Sequence, residues 1–115
     1  KGCGQLAVYF NEDLQNKLMP ELPGLIASRW MPIFADISVR GVTKASGISA
    51  FAKEMGISIE ETISFGDGGN DIPMIEAAGL GIAMGNAGDD VKAAADYITA
   101  SVDDDGFAAA LRKFV

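Results

Sequence analysis

The sequence predicts an α/β protein built on a parallel sheet. From residue 41 onward, helical and strand-like patterns alternate in the order α-β-α-β-α-β-α, which is typical of a parallel sheet covered by helices. A glycine-rich polar stretch directly follows one of the apolar runs. Hydrophobic residues make up 49% of the 115-residue chain, so the chain can bury a core and a disordered protein is not expected.

The first forty residues show a different pattern. Residues 5–10 are apolar and rich in β-formers, which predicts a strand. Leucines then recur at helical spacing as far as Leu25, with Ile26 beside it, but Pro20 and Pro23 interrupt the pattern. We therefore expect a short or broken helix in this stretch.

A hairpin is predicted next. Residues 29–33 and 34–40 both look like strands, joined by a bend near Met31 and Pro32. The aromatic residues Trp30 and Phe34 are expected in the core rather than at a ligand.

The following segment predicts a capped helix. Thr43 is a suitable N-cap and Gly56 a suitable end. The residues expected to form its apolar face are Ile48, Phe51, Ala52 and Met55. Lys44 falls in the first turn, where the helix dipole disfavours a cation. It is either a solvated lysine or a lysine kept for an anion such as phosphate.

The polar stretch at residues 64–71 is the most informative part of the chain. It lies between a predicted strand, residues 62–65, and a predicted helix, residues 72–78, closed by Gly79. Ligands of open α/β sheets bind at the carboxyl ends of strands. Asp67 and Asp71 place two carboxylates in this one turn, where they repel each other unless a cation intervenes. Mg²⁺ suits such a pair, whereas the alternative is a turn in which Asp and Asn act only as caps.

The remaining elements complete the alternation. Residues 81–84 and 97–99 predict short strands, and residues 89–95 predict a short helix that begins with acids. Residues 107–114 predict a closing helix, with Leu111 and Phe114 facing inward.

Composition excludes several functions. The net charge of -7 argues against a nucleic-acid surface. The absence of histidine excludes histidine-based triads and histidine-ligated zinc within this chain. No apolar run is long enough to span a membrane. Cys3, the single cysteine, cannot form an internal disulfide, and we expect a cytoplasmic protein. Because the chain begins at Lys1 rather than methionine, we expect a fragment or a processed product.

Two ordered motifs resemble those of the haloacid-dehalogenase-like hydrolases, in particular their Cof-type phosphatase branch. They are Gly41-Val42-Thr43-Lys44 and Gly66-Asp67-Gly68-Gly69-Asn70-Asp71. Residues 81–87 and 105–107 are also similar to that branch. The resemblance implies that residues 1–40 are the C-terminal part of an α+β cap domain. It implies that residues 41–115 are the C-terminal half of a Rossmann-like hydrolase core.

The resemblance also implies an activity: Mg²⁺-dependent hydrolysis of small phosphorylated metabolites, sugar phosphates among them, through an aspartyl-phosphate. Asp67 would bind Mg²⁺ directly, and Asp71 would bind it through water or orient Asp67. Asn70 and Lys44 would hold the phosphate, with Lys44 as a point charge.

The nucleophile of this family lies in an upstream Asp-x-Asp-x-Thr motif, followed by a Ser or Thr motif, and this chain contains neither. We therefore expect the 115 residues alone to be inactive. The run from Asp103 to Gly106 looks similar, but it follows the metal motif, lacks the threonine and suits an acidic helix start.

Two other functions remain to be compared. One is a non-catalytic module that uses the acidic turn to bind a metal or a partner. The other, dinucleotide binding, is disfavoured because the glycines do not match G-x-G-x-x-G and two carboxylates repel a pyrophosphate. An exposed edge of the core sheet would favour self-association.

Overall fold

The computed structural model describes residues 4–115, apart from the side chain of Trp30. The predictions made for Cys3 and for the Trp30 side chain lie outside this part. The chain divides into two compact units, one ending at Val42 and the other comprising Thr43–Val115. Each unit has its own sheet.

The first unit is a three-stranded antiparallel sheet with one helix. Its strands are β1 (Gln5–Tyr9), β2 (Leu25–Met31) and β3 (Phe34–Val39), and its helix is α1 (Glu12–Leu18). The strand order is β1-β3-β2, with Gln5 opposite Ser38 and Leu25 opposite Val39. The predicted strand at residues 5–10 and the predicted hairpin are therefore both present.

The leucine pattern was misleading at its C-terminal end. The Asn11 side chain accepts a hydrogen bond from the Leu14 amide at 3.0 Å and caps α1, which continues into a 3₁₀ turn over Met19–Glu21. Leu25 and Ile26 belong to β2 rather than to a helix. Their spacing suits a helix. Their conformation is instead determined by pairing with β3, whose residues are distant in the sequence.

Arg29 organises the hairpin end of the first unit. Its guanidinium donates to the Gln15 side chain and to the main-chain oxygens of Phe10 and Phe34. Its Nη1 atom also donates to the carbonyls of the turn, where β2 loses its regular register between Arg29 and Met31. The guanidinium lies 5.2 Å from the Phe10 ring centre, so this arginine is committed to internal contacts.

The core of the first unit is small. It contains buried Phe10, Ala35 and Ile37. Partly buried side chains, among them Val8 and Leu25, pack against it. Phe34 is half-buried rather than a full core residue, and its ring centre lies 5.9 Å from that of exposed Tyr9.

The second unit contains the predicted parallel sheet. Its strands are β4 (Ile63–Gly66), β5 (Leu80–Ala83) and β6 (Tyr97–Ile98), in that order and all parallel. The helices are α2 (Lys44–Met55), α3 (Ile72–Ala77), α4 (Asp89–Ala93) and α5 (Gly106–Phe114). The α-β-α-β-α-β-α order read from the sequence is confirmed.

Local caps explain the limits of α2. The Thr43 side chain accepts a hydrogen bond from the Ser46 amide at 3.1 Å. Gly56 ends the helix in the left-handed conformation at φ 70°, which glycine adopts without penalty. The predicted apolar face was wrong in part: Ala52 is buried, but Phe51 is 67% exposed and Met55 is 59% exposed.

Two details of α3 and α5 also differ from expectation. Gly79 does not close α3 in a left-handed conformation; a Cβ atom there would lie 1.8 Å from the Glu60 carbonyl oxygen, so backbone proximity explains the glycine. In α5, Leu111 is half-buried and Phe114 remains 38% exposed, whereas Gly106 and Ala110 are buried.

The core of the second unit lies between the sheet and its helices. Ile75, Ala83, Ala87 and Val91 form one buried cluster. Across residues 4–115, no helix combines the length and apolar character that crossing a bilayer requires. The core holds β4 and β5 side by side, so the loops after these strands leave the sheet at the same edge.

Candidate functional site

The loop after β4 contains both predicted carboxylates. Asp67 directly follows the last strand residue, Gly66, and its side chain is exposed. A 3₁₀ turn over Gly69–Asp71 then leads into α3. The side chain of Asp71 is only 6% exposed. The two carboxylates therefore occupy different environments although they are four residues apart.

Asp71 holds the loop in shape. Its Oδ2 atom accepts hydrogen bonds from the Asp67 amide at 3.1 Å and from the Gly68 amide at 3.2 Å. The Asp71 amide donates to the Gly68 carbonyl oxygen at 2.8 Å. Each of these bonds constrains the backbone that carries the Asp67 carboxylate.

Gly66 makes this arrangement possible. A Cβ atom on Gly66 would lie 2.4 Å from the Cβ of Asp71 and 2.9 Å from the Ile75 side chain. Any larger residue would therefore push the buried Asp71 side chain away from the loop amides. The close approach of strand end and turn requires a glycine here.

Lys44 joins the site from the start of α2. Its Nζ atom forms an ion pair and a hydrogen bond with Asp71 Oδ1, and its side chain is 50% exposed. The sequence predicted either a solvated lysine or a lysine that binds an anion. In the structure Lys44 has another partner, the buried carboxylate of Asp71, 27 residues away in the chain. The exposed half of the side chain still faces solvent.

These contacts determine the ionisation of Asp71. Burial raises the pKa of the Asp71 carboxyl, but the hydrogen bond from Lys44 lowers it. The Gly68 and Asp67 amides and the charge of Lys44 lower it further. The net effect is a pKa below the ordinary value of 3.8, because the interactions that favour the charged form outweigh burial. Asp71 is therefore ionised at neutral pH.

Asn70 shares the turn but not the ion pair. Its side chain is exposed, and its Oδ1 atom lies 2.9 Å from the position that a Cβ on Gly68 would occupy. In residues 4–115, no hydrogen bond joins Asn70 to Lys44 or to Asp67. The structure thus brings together Lys44, Asp67 and Asp71, and leaves Asn70 beside them with a free amide.

The loop offers a partial metal site. Within the part of the chain that is described, no three or more Asp, Glu, Cys or His residues form a cluster able to hold a metal. Both oxygens of Asp71 already have partners in the protein, whereas Asp67 is exposed. Mg²⁺ commonly takes one or two carboxylates and completes its shell with water and phosphate. Asp67 fits that requirement as one direct ligand.

Asn86 is a member of the site that the sequence interpretation missed. It lies after β5, and its Nδ2 atom donates to Asp67 Oδ2 at 3.3 Å. Its Oδ1 atom accepts from the Val102 amide at 3.0 Å. The signal was present: Asn86 is a polar residue in a glycine-containing turn at the carboxyl end of a strand, as Asp67 is.

The acidic run of residues 103–105 directly follows Val102, whose amide donates to the Asn86 side chain. Val102–Asp104 form a 3₁₀ turn, and Asp105 precedes α5 in a left-handed conformation with φ 55°. The Asp105 side chain makes no hydrogen bond that caps α5. The expected role as an acidic helix start therefore applies by position but not by side-chain capping.

Similarity to known proteins covers nearly the entire chain. The sequence profile of the haloacid dehalogenase-like hydrolases matches residues 3–111. The chain is 38% identical over 108 residues to 5-amino-6-(5-phospho-D-ribitylamino)uracil phosphatase YcsE of Bacillus subtilis, covering 91% of this chain and 43% of that protein.

Solved structures give the same result. The chain is 50% identical to the haloalkanoate-superfamily phosphatase BT1666 of Bacteroides thetaiotaomicron, with a TM-score of 0.89, over 99% of this chain and 42% of that one. It is 46% identical to the sugar phosphatase BT4131, with a TM-score of 0.83, over 99% of this chain and 44% of that one. The chain spans less than half the length of each of these three relatives. The predicted α/β fold and the predicted resemblance are confirmed: the chain belongs to the haloacid dehalogenase-like hydrolases.

Proposed function

We propose that this chain is the C-terminal portion of a Mg²⁺-dependent phosphatase that hydrolyses small phosphorylated metabolites, sugar phosphates in particular. Residues 1–40 would be the end of a cap domain, and residues 41–115 the second half of the hydrolase core. The reaction would pass through an aspartyl-phosphate whose aspartate lies outside these 115 residues. The similarity to a sugar phosphatase supports the substrate class.

One observation carries the proposal. Ionised Asp71 binds Lys44 and two loop amides just after β4, while the neighbouring Asp67 carboxylate stays exposed. The backbone that carries Asp67 is held by Asp71, and the Asp67 side chain is exposed. A carboxylate in this position is suited to bind a cation. A lysine held beside it is suited to attract a phosphate.

Each residue has a separate task in this proposal. Asp67 would hold the cation, which when bound supplies positive charge beside the phosphoryl group. Lys44, whose side chain is half exposed, would act as a point charge toward the phosphate, and Asn70 would donate hydrogen bonds from its free amide. Asp71 would keep Lys44 and the Asp67 backbone in place, which supports the orienting role rather than direct coordination.

The full-length enzyme tests these assignments. Phosphatase turnover on a panel of sugar phosphates should fall on the order of 100-fold or more in Asp67→Asn. Glu54→Gln provides a matched control, because it removes one negative charge from an exposed position of α2 and should leave turnover unchanged. Near-normal turnover in Asp67→Asn would refute the metal assignment.

The 115-residue chain should show no turnover, since it lacks the nucleophile. Mg²⁺-dependent turnover by this chain alone, abolished by Asp103→Asn or Asp105→Asn, would contradict the proposal and identify the acidic run as the nucleophile motif. A full-length protein that binds Mg²⁺ and hydrolyses no phosphomonoester would instead favour the non-catalytic metal-binding function.

A further inference from the structure

Asn86 contacts two other loops, at Asp67, 19 residues before it, and at Val102, 16 residues after it. Its side-chain amide donates to Asp67 Oδ2, and its carbonyl oxygen accepts from the Val102 amide. One side chain therefore bridges the loop after β4 and the turn before α5. In the described residues, the bond from Asn86 is the hydrogen bond that holds the Asp67 carboxylate.

The chemistry of the neighbours fixes the orientation of the Asn86 amide. The Val102 N–H group is only a donor, so it must face the amide oxygen of Asn86. A carboxylate oxygen of Asp67 accepts, so it faces the amide nitrogen. A 180° rotation of the amide would place donor against donor and acceptor against acceptor. The side chain therefore has a single favourable orientation.

Two backbone hydrogen bonds place Asn86 between its partners. The Met84 amide donates to the Gly66 carbonyl oxygen at 2.9 Å, which ties the end of β5 to the residue before Asp67. The Gly85 amide donates to the Ala100 carbonyl oxygen at 3.0 Å, which ties the same turn to the segment before Val102. Asn86 directly follows Gly85, so these bonds place its backbone close to both of its side-chain partners.

We infer that Asn86 is a positioning residue of the metal site. By holding Asp67 Oδ2, it would leave the other oxygen, Oδ1, available to the cation. The inference rests on the proposed function, in which Asp67 is the metal ligand. In this inference Asn86 touches neither the cation nor the substrate and acts only through Asp67. Partners of this kind orient a ligand before the metal arrives.

Binding of Mn²⁺, followed by electron paramagnetic resonance of the free ion in the full-length protein, tests the inference. Mn²⁺ prefers the same oxygen ligands as Mg²⁺. Asn86→Ala should weaken Mn²⁺ binding about tenfold, the lower end of the loss typical for such partners. Asn16→Ala, at an exposed position of α1, is the matched control and should bind as the wild type does.

The outcomes distinguish the inference from the proposed function. A wild-type protein that does not bind Mn²⁺ would overturn both. Normal binding by the wild type and unchanged binding by Asn86→Ala would overturn the inference alone. Circular dichroism of each variant, unchanged from the wild type, shows that the loss is local.

Discussion

The substitution Asp71→Asn removes one charge from the loop after β4 and keeps the size of the side chain. The asparagine oxygen can still accept from the Asp67 and Gly68 amides, as Asp71 Oδ2 does. Its amide group then faces the ammonium group of Lys44, donor against donor. The substitution therefore isolates the interaction between Asp71 and Lys44 while leaving the loop contacts in place.

The exposure of Lys44 sets the size of the effect. A hydrogen bond to a charged group contributes about 1.5–3 kcal/mol to stability. Because the Lys44 side chain is 50% exposed, its ammonium group regains water when the partner is lost, and the lower end of that range applies. We expect Asp71→Asn to lower the free energy of unfolding by about 1.5 kcal/mol at pH 7, roughly tenfold in the folding equilibrium.

The pH dependence has a definite sign. The pKa of Asp71 in the folded chain lies below its ordinary value of 3.8, and in the unfolded chain it is about 3.9. The stabilisation from Asp71 is therefore fully present above that unfolded pKa and is lost as the pH falls through the folded pKa. The stability difference between wild type and Asp71→Asn should shrink as the pH is lowered from 5 toward 3.

Urea unfolding of the 115-residue chain, followed by circular dichroism, measures both quantities. Amide exchange of Asp67 and Gly68 gives a local reading, and their protection should persist in Asp71→Asn but not in Asp71→Ala. The reasoning is refuted if Asp71→Asn is as stable as the wild type at pH 7. It is equally refuted if the stability difference stays constant down to pH 3.

Four further substitutions test the fold by thermal unfolding. Gly79→Ala should cost about 3 kcal/mol, because its Cβ would lie 1.8 Å from a carbonyl oxygen; Gly47→Ala, in open space within α2, should gain about 0.5–1 kcal/mol, and equal effects would contradict this explanation. Asp105→Gly should gain about 0.5 kcal/mol by relieving φ 55°; a loss would mean that the aspartate side chain stabilises the turn. Arg29→Lys should cost about 2 kcal/mol, since an ammonium group cannot reproduce the guanidinium contacts; wild-type stability would contradict that role.

Features determined by neighbouring residues were predictable from the sequence. The limits of α2 follow from Thr43 and Gly56, which act on the backbone beside them. The parallel sheet followed from the alternation of elements, since few arrangements bury such a pattern. The location of the candidate site followed as well, because Asp67 directly succeeds a strand.

Features determined by distant residues were not predictable. Leu25 has helical spacing from Leu18 and Leu22, and only its pairing with Val39 assigns it to a strand. Phe51 and Met55 have the spacing of a buried face, yet spacing alone does not say which neighbours cover it.

The same limit applies within the site. The sequence identified Lys44 and Asp71 separately, whereas their ion pair depends on how α2 packs in the second unit. The role of Asn86 depends on two other loops at once. A single sequence shows which residue types are present, but the geometry selects their partners.

Gly66 and Gly79 also affect how experiments on this protein should be interpreted. Neither has a positive φ, and both are glycine because another part of the chain occupies the space of a side chain. A saturation mutagenesis screen would find both positions intolerant, although neither has a side chain that reacts. Mutational intolerance alone would therefore mark backbone crowding and chemistry alike, and only a comparison of folded yield with turnover separates them.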